Sequence, residues 1–301
     1  MRAAVVTEFG GPEAVELVET DVPEPAAGQV RIKVAAAALN PVDAEVRAGA
    51  FGAGGGGAGE RLGFGWDVAG TVDAVGARAA RWTVGDEVVA LHEGLFKSLG
   101  THADYVVVDA GAVAGAPASV DAVHAAALPL NALTAAQALD LLDVGPGQSL
   151  LVTGAAGAVG GYATQLAARR GISVTALARE SDEELVRSLG ASRFTAGAVG
   201  AGSVAAVLDA AVLGGGALEW VRDGGVYVGV IPGASPAAVR GVRVGTVEVV
   251  GDGVRLAELV GLVDAGALTA RVAEVVPLAE VAKAHARLEE GGVRGRVVLV
   301  P

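Results

Sequence analysis

Apolar and polar residues alternate in short segments along the first hundred residues of the chain. The clearest case is VRIKVAA at 30–36, where basic residues separate the apolar ones, as expected of a half-buried strand. Turn residues such as Gly10-Gly11-Pro12 separate these segments. Many short strands with few helices predict a small β-barrel-like domain. The strands are predicted at 3–7, 15–20, 30–36, 68–75, 87–91 and 102–108.

The pattern changes near Ser119 to an alternation of helices and strands. Ser119 is predicted to cap a helix that ends near Ala127, and helical spacing continues from Leu133 to Leu142. This alternation indicates βαβ units in a parallel sheet, and two further helices and one strand follow it. The strands are predicted at 149–153, 173–178, 205–208, 226–231 and 296–300, and the helices at 161–170, 182–189, 217–221, 256–265 and 278–290.

Composition narrows the function classes. The chain has 301 residues, which favours two domains, and a formal net charge of −12. Such an acidic surface repels phosphate backbones and anionic lipid, so nucleic acid and membrane are not expected as partners. There are no cysteines, which excludes disulfides, thiolate metal sites and cysteine nucleophiles. The N-terminus lacks the pattern of a signal peptide, and the protein is expected to be soluble and cytoplasmic.

A glycine-rich segment, FGAGGGGAGERLG, lies between Phe51 and Gly63. It is consistent with a low-complexity surface loop or with a mobile flap beside a substrate cleft. The loop interpretation is slightly favoured, because the chain contains 46 glycines and Gly is abundant throughout it.

The strongest chemical motif is SLLVTGAAGAVGGYATQLAARRG at 149–171, an apolar strand followed by a small-residue turn and then a helix. The backbone N–H groups of such a turn converge with the helix N-terminus on one point, where they stabilise a diphosphate. Ala155, Gly157 and Gly160 occupy the three small-residue positions of the dinucleotide fingerprint. The sequence therefore predicts a dinucleotide site formed by Gly154, Ala155, Ala156, Gly157, Ala158 and Val159.

The end of the next strand distinguishes NADPH from NADH. Arg179 and Glu180 both lie about 20 residues beyond the glycines, where an acidic residue binds the ribose 2′-hydroxyl of NAD. Arg179 in that place would pair with a 2′-phosphate, and Ser181 would donate a hydrogen bond to it. Glu180 in that place would favour NADH, and an Arg179 without any ligand is the third alternative. Strand parity and turn length favour Arg179, and hence NADPH.

Several motifs together resemble the medium-chain dehydrogenase/reductase superfamily, in its zinc-free quinone oxidoreductase (zeta-crystallin-like) branch. They lie in family order over essentially the whole chain. They are FGGPEAVEL (9–17), ALNPVDAEVRAG (38–49), GWDVAGTVDAVG (65–76), VGDEVVAL (84–91), AALPLNALTAAQAL (126–139), GAAGAVG (154–160), LGA (189–191), GGVYVGV (224–230) and RGRVVLV (294–300).

The resemblance implies an α/β protein with a GroES-like β-barrel domain and a Rossmann-type doubly wound parallel sheet domain. The GroES-like substrate domain would comprise residues 1–118 and 256–301, and the dinucleotide-binding domain residues 119–255. It also implies a homodimer that forms through the edges of the Rossmann sheet.

By position in the family, Asn40 is expected beside the nicotinamide as an orienting group, and Thr134 and Val230 near the same end of the cofactor. The substrate pocket is expected to include Asn40, Glu45, Phe51 and Trp66. Phe51 replaces a tyrosine of many relatives and Glu45 stands where an aromatic residue is common, so the pocket has diverged. No general acid is identified, and solvent is a possible proton source.

Zinc is not expected. By resemblance, the metal-dependent relatives have cysteine within the ALNPVD segment and a His-Glu pair where this chain has Trp66-Asp67. The four histidines, which are His92, His102, His124 and His285, have no ligand spacing and are each expected as surface or satisfied polar residues.

The resemblance implies an NADPH-dependent reductase that transfers hydride to a quinone or an α,β-unsaturated carbonyl compound. Two alternatives stay open: an enoyl-thioester reductase of a biosynthetic pathway (or a metal-free alcohol-type dehydrogenase), and a catalytically idle NADPH-binding protein. A basic lip formed by Arg47, Arg61 and Lys97 would favour a thioester substrate with a phosphate-bearing carrier.

Overall fold

The computed structural model describes residues 1–52, 61–197 and 199–301. Most of the glycine-rich segment at 51–63, for which a loop and a flap were considered, therefore lies outside the described residues. The chain divides into two compact units. Unit 1 comprises Met1–Leu130, Val250–Gly266 and Ala270–Pro301, and unit 2 comprises Asn131–Val249 and Ala267–Thr269.

The unit boundaries differ from those drawn from the sequence. Unit 1 extends to Leu130 rather than to 118, and it resumes at Val250 rather than at 256. Hydrogen bonds explain the first difference: the Leu130 amide donates to the buried Asp67 carboxylate at 2.6 Å, and the Ser119 amide donates to Asp264 at 2.8 Å. Both bonds tie residues beyond 118 to unit 1.

Sixteen strands and eight α-helices are formed by the described residues. The N-terminal elements are β1 (Arg2–Val6), β2 (Glu16–Glu19), β3 (Gln29–Leu39), α1 (Pro41–Arg47), β4 (Leu62–Gly63), β5 (Asp67–Val75), β6 (Glu87–Leu91), β7 (Tyr105–Asp109), β8 (Val113–Gly115) and α2 (Ala122–Ala125). The central elements are α3 (Pro129–Leu142), β9 (Ser149–Thr153), α4 (Ala158–Arg169), β10 (Ser173–Leu177), α5 (Glu183–Ser188), β11 (Arg193–Thr195), β12 (Val204–Asp209), α6 (Gly215–Leu218), β13 (Val221–Gly229) and β14 (Arg243–Thr246). The C-terminal elements are α7 (Gly253–Asp264), β15 (Val272–Pro277), α8 (Val281–Glu289) and β16 (Arg296–Val300).

Unit 1 is the GroES-like barrel that the resemblance implies. Its larger sheet has the strand order β15-β16-β3-β5-β6-β8, with β7 also paired to β3, and a smaller sheet has the order β2-β1-β4. The C-terminal strand β16 pairs antiparallel with β3, with Val298 opposite Ala38. The end of the chain therefore completes the N-terminal barrel. Alternating side chains of β3, among them Val30, Ile32 and Val34, fill its core.

Unit 2 is a doubly wound parallel sheet with the strand order β11-β10-β9-β12-β13-β14. The order reverses between β9 and β12, which are hydrogen-bonded neighbours. The central strands are apolar and buried along almost their whole length, as in LLVT of β9 and VAAVLD of β12. Strands covered on both faces need such continuous apolar runs.

Two local predictions are wrong. Ser119 does not cap a helix; α2 begins at Ala122 and is capped by Asp121, whose carboxylate accepts from the His124 amide at 2.9 Å. The predicted helix at 217–221 is shorter than expected, because β13 already begins at Val221. Five short strands were missed: β4, β8, β11, β14 and β15.

The stretch Ala122–Leu142 is long and apolar enough to cross a membrane by length and composition alone. However, 78% of its most apolar window is buried inside the protein, as in a core helix. It is therefore weak evidence for a membrane span among the described residues.

Candidate functional site

The turn after β9 has the backbone geometry of an anion site. Gly154 follows the strand with a φ of +57°, a conformation that favours glycine, and the Gly157 amide closes the turn on the Gly154 carbonyl at 2.8 Å. Gly157 is the N-cap residue of α4, and no side chain caps the helix there. The first amides of a helix then remain available to an anion, and the helix dipole adds to the attraction.

Gly160 allows α4 to lie directly against this turn. A Cβ atom at Gly160 would be 2.3 Å from the Gly154 carbonyl oxygen, a distance that no real side chain tolerates. A Cβ atom at Gly157 would lie 3.1 Å from the same oxygen. Close packing therefore requires glycine at 160, whereas at Gly157 a side chain would only be tight.

The turn lies at the point where the strand order of unit 2 reverses, between β9 and β12. In open parallel sheets the loops at such a point separate, and the ligand binds in the crevice at the carboxyl ends of the strands. Gly154, Ala155, Ala156, Gly157, Ala158 and Val159 all lie at that edge of the sheet. Fold and local geometry thus place the predicted diphosphate site where the doubly wound fold binds dinucleotides.

Arg179 lies two residues beyond the end of β10, and its side chain is exposed. Its guanidinium makes no hydrogen bond or ion pair with the described part of the chain. Ser181 and Glu180 are also exposed, in the short 3₁₀ turn that follows. Arg179 is therefore an exposed cation that follows β10, the strand next to β9.

Thr134 and Val230 lie on different elements of unit 2. Thr134 is 6% exposed in α3, and Val230 is half-buried immediately after β13. Their contact with a nicotinamide stays a prediction.

A buried acid that the sequence analysis missed lies at the same edge of the sheet. Asp209 ends β12 and accepts hydrogen bonds from the Thr153 hydroxyl, the Tyr227 hydroxyl and the Gly214 amide at 2.6, 2.7 and 2.8 Å. The burial of Tyr227 and its bond to Asp209 raise the pKa of the phenol. The sequence offered one indication, an acidic residue ending an apolar strand, but the predicted strand stopped at Leu208.

In unit 1, Asn40 and Asp67 form a buried pair. The Asn40 side-chain amide donates to the Asp67 carboxylate at 2.6 Å, and its oxygen accepts from Arg296 at 3.2 Å. Burial raises the pKa of Asp67 to about 7, against the opposing effect of the hydrogen bonds from Leu130 and Asn40. The Asn40 amide therefore has protein partners at both ends, and its predicted contact with the nicotinamide stays a prediction.

The other predicted pocket residues lie near this pair in the chain. Trp66 is 8% exposed, and the Lys97 ammonium lies 4.5 Å from its ring centroid. Burial lowers the pKa of Lys97 to about 8 and raises that of the half-buried Glu45. Phe51 packs against the hydrophobic core that contains Phe64.

Asp43 supports the backbone around this region. It is 1% exposed, and its two carboxylate oxygens accept from the amides of Asn40 and Gly65, each at 2.8 Å. This geometry gives Asp43 a structural role in unit 1.

Two histidines depart from the sequence expectation. His102 and His285 are 1% and 0% exposed, and their ring centroids lie 6.4 Å apart. Nδ1 of His102 and Nε2 of His285 have no hydrogen-bond partner, so these residues are neither on the surface nor fully satisfied. The expectation failed because the two rings are brought into one core by strands and helices that are distant in sequence.

Together, the fold and the turn define a two-domain protein of the dinucleotide-dependent oxidoreductase class. Residues 26–118 match the family described as alcohol dehydrogenase GroES-like domain, and residues 182–299 match the family described as zinc-binding dehydrogenase. The chain therefore belongs to the medium-chain dehydrogenase/reductase superfamily, and alkenal/one and quinone oxidoreductases are among its homologues.

Three comparisons cover the whole chain. It is 35% identical to the NADPH-dependent alkenal/one oxidoreductase, chloroplastic, of Arabidopsis thaliana, over 80% of that protein. It is 30% identical to the quinone-oxidoreductase QR1, chloroplastic, of Triphysaria versicolor, over 98% of that protein. The structure of the quinone oxidoreductase from Coxiella burnetii superposes with a TM-score of 0.87 at 28% identity, covering 100% of this chain and 99% of that one. With several other relatives the similarity spans only 49% to 59% of the length of the relative.

The donor set does not fit the zinc that one family description names. Trp66 and Asp67 stand where the resemblance places a His-Glu pair of metal ligands, but an indole has no lone pair to offer. Asp67 is bonded to the side chain of Asn40, which lies in the segment where the relatives have a cysteine ligand. In the part of the chain that the structure describes, no group of three His, Asp or Glu side chains could hold a metal ion.

Proposed function

We propose that the protein is an NADPH-dependent reductase that transfers a hydride to a quinone or an α,β-unsaturated carbonyl compound without zinc. The observation that carries this proposal is the tight turn at the amino end of α4, where no side chain caps the helix at Gly157 and where Gly160 lies too close to Gly154 for any side chain. The homologous alkenal/one and quinone oxidoreductases support the substrate class.

Residues 154–159 would hold the diphosphate, and the exposed Arg179 would pair with the 2′-phosphate. NADPH, when bound, supplies the hydride, and the protein contributes orientation and exclusion of water. Asn40 is proposed to help orient the nicotinamide or the substrate oxygen, next to the pocket residues Glu45, Phe51 and Trp66.

The test is the oxidation of NADPH and NADH, followed at 340 nm with quinones, enones and enoyl-thioesters, with and without a chelator. We expect NADPH oxidation with quinones or enones, unchanged by the chelator. Turnover confined to enoyl-thioesters would favour the alternative reductase, and tight NADPH binding without turnover would favour an idle binding protein. A rate abolished by the chelator would contradict the metal-free proposal.

Arg179→Ala tests the cofactor preference. Because the variant loses a charge-assisted pair with the 2′-phosphate, it should bind NADPH roughly tenfold more weakly or worse and bind NADH with unchanged affinity. Arg222→Ala is the matched control, because Arg222 is also exposed but lies at the amino end of β13, on the opposite edge of the sheet. A variant at 179 that keeps the preference of the wild type would contradict the assignment.

A homodimer is proposed from the resemblance, with the edge strand β14 as the surface that pairs. Light scattering of the purified protein tests it, and a monomer at all concentrations would contradict it.

A further inference from the structure

The proposed function leaves the buried carboxylate of Asp209 without a role. Asp209 is 0% exposed, and a buried charge is stable only when it is well paired. Its Oδ1 accepts from the Thr153 hydroxyl, and its Oδ2 accepts from both the Tyr227 hydroxyl and the Gly214 amide. One side chain thereby joins the ends of β9 and β12, the middle of β13 and the loop that follows β12.

The same bonds fix that loop, residues 210–214, against the dinucleotide turn. The Ala211 amide donates to the Thr153 hydroxyl at 2.9 Å, and the Gly214 amide donates to Asp209 itself. A Cβ atom at Gly154 would lie 3.3 Å from the Ala211 Cβ, so the loop and the turn are already in contact. The position of the loop therefore depends on the Asp209 network at both of its ends.

The topology indicates which half of the cofactor this loop serves. A doubly wound sheet binds a dinucleotide with one mononucleotide on each of its halves, divided where the strand order reverses. Arg179 follows β10, so under the proposed function it would hold the 2′-phosphate on the half of the sheet that contains β9, β10 and β11. The loop 210–214 follows β12, which begins the other half. The nicotinamide would therefore lie on the half that begins with β12.

We propose that Asp209 is a positioning residue for the nicotinamide half of NADPH, because it holds the loop 210–214 in place at the reversal point. Asp209 acts through this loop and does not contact the reacting atoms. The inference rests on the proposed function, since it requires that the turn binds NADPH.

The experiment compares two ligands with one variant. Asp209→Asn keeps the size of the side chain but presents an NH₂ group to a site surrounded by three donors. The dissociation constants of NADPH and of 2′-phospho-ADP-ribose, which lacks the nicotinamide, are measured by calorimetry. We expect NADPH to bind about tenfold more weakly to the variant and 2′-phospho-ADP-ribose to bind within about twofold of the wild type.

A merely structural role would weaken both ligands alike or neither of them, and either result would overturn the inference. Tyr227→Phe removes a single donor and leaves two, so a smaller loss in the same direction is expected, and this variant serves if Asp209→Asn does not fold. If the wild type binds neither ligand, the proposed function itself fails. If the wild type binds both ligands but the variant loses the same affinity for both, or for neither, only the role of Asp209 fails.

Discussion

The buried histidine pair of unit 1 should make the protein sensitive to acid. The His285 ring accepts a hydrogen bond from the Arg47 guanidinium at 3.1 Å, and Arg47 is itself paired with Glu289. Burial, with the nearby His102 and Arg47, lowers the pKa of His285 to about 3. Burial also lowers the pKa of His102. Both rings are therefore neutral in the folded protein at pH values where an unfolded chain protonates them.

The size of the effect follows from this pKa. A folded-state pKa below the unfolded value of 6.5 gives a contribution to stability that is fully present above pH 6.5 and is lost as the pH falls toward 3. At pH 5 the unfolded histidine is almost fully protonated and the folded one is not, which costs about 2 kcal/mol for His285. Any folded pKa below about 4 gives nearly the same figure at this pH.

The assay is urea unfolding of the wild type and His285→Asn at pH 7.5 and pH 5.0. The asparagine oxygen can still accept from Arg47, but the side chain does not titrate. Asp67 acts in the opposite direction, because its raised pKa of about 7 stabilises the folded state as the pH falls. For each protein, the free energy of unfolding at pH 5.0 is subtracted from that at pH 7.5. The quantity to compare is this loss of stability in the wild type minus the same loss in the variant.

This difference should be about 2 kcal/mol. His124→Asn is the control, because it makes the same substitution at a histidine whose side chain is 45% exposed. If His285→Asn lost as much stability between the two pH values as the wild type, the proposed origin of the acid sensitivity would be refuted.

Three further substitutions test local packing and hydrogen bonding. Gly160→Ala should lower the free energy of unfolding by roughly 1–3 kcal/mol and weaken NADPH binding, because the new methyl group meets the Gly154 carbonyl. Gly261→Ala, in α7 with open space around it, should instead stabilise the protein by about 0.5–1 kcal/mol. Thermal melts of both variants test these two expectations. Asp43→Ala should lower the free energy of unfolding by roughly 2–5 kcal/mol, because it leaves the backbone amides of Asn40 and Gly65 buried without an acceptor. A loss below about 1 kcal/mol in urea unfolding would contradict that role.

Local sequence was sufficient where one short segment contains the whole pattern. The predicted strands at 87–91, 149–153 and 296–300 agree with β6, β9 and β16, since each is an apolar run bounded by turn or polar residues. The turn between β9 and α4 was located for the same reason, because its strand, glycines and helix are consecutive in the chain. That it binds a diphosphate stays a prediction.

Short strands without such a run were missed. β11 and β14 each have four residues or fewer and lie at the edges of the sheet, where half-exposed residues give little periodicity. β15 has mostly exposed residues and is defined by its parallel pairing with β16.

The sequence by itself located the strand, turn and helix around 154–159 and the strand end that precedes Arg179, because each depends on neighbours in the chain. The two-domain architecture came from the resemblance, since the pairing of β16 with β3 joins segments far apart in sequence. Only the tertiary structure decided that Asp209 joins Thr153 and Tyr227, that Asn40 pairs with Asp67, and that His102 lies beside His285. Those partners are far apart in sequence, and burial gives them their chemistry, because water no longer competes for their hydrogen bonds or stabilises their charges.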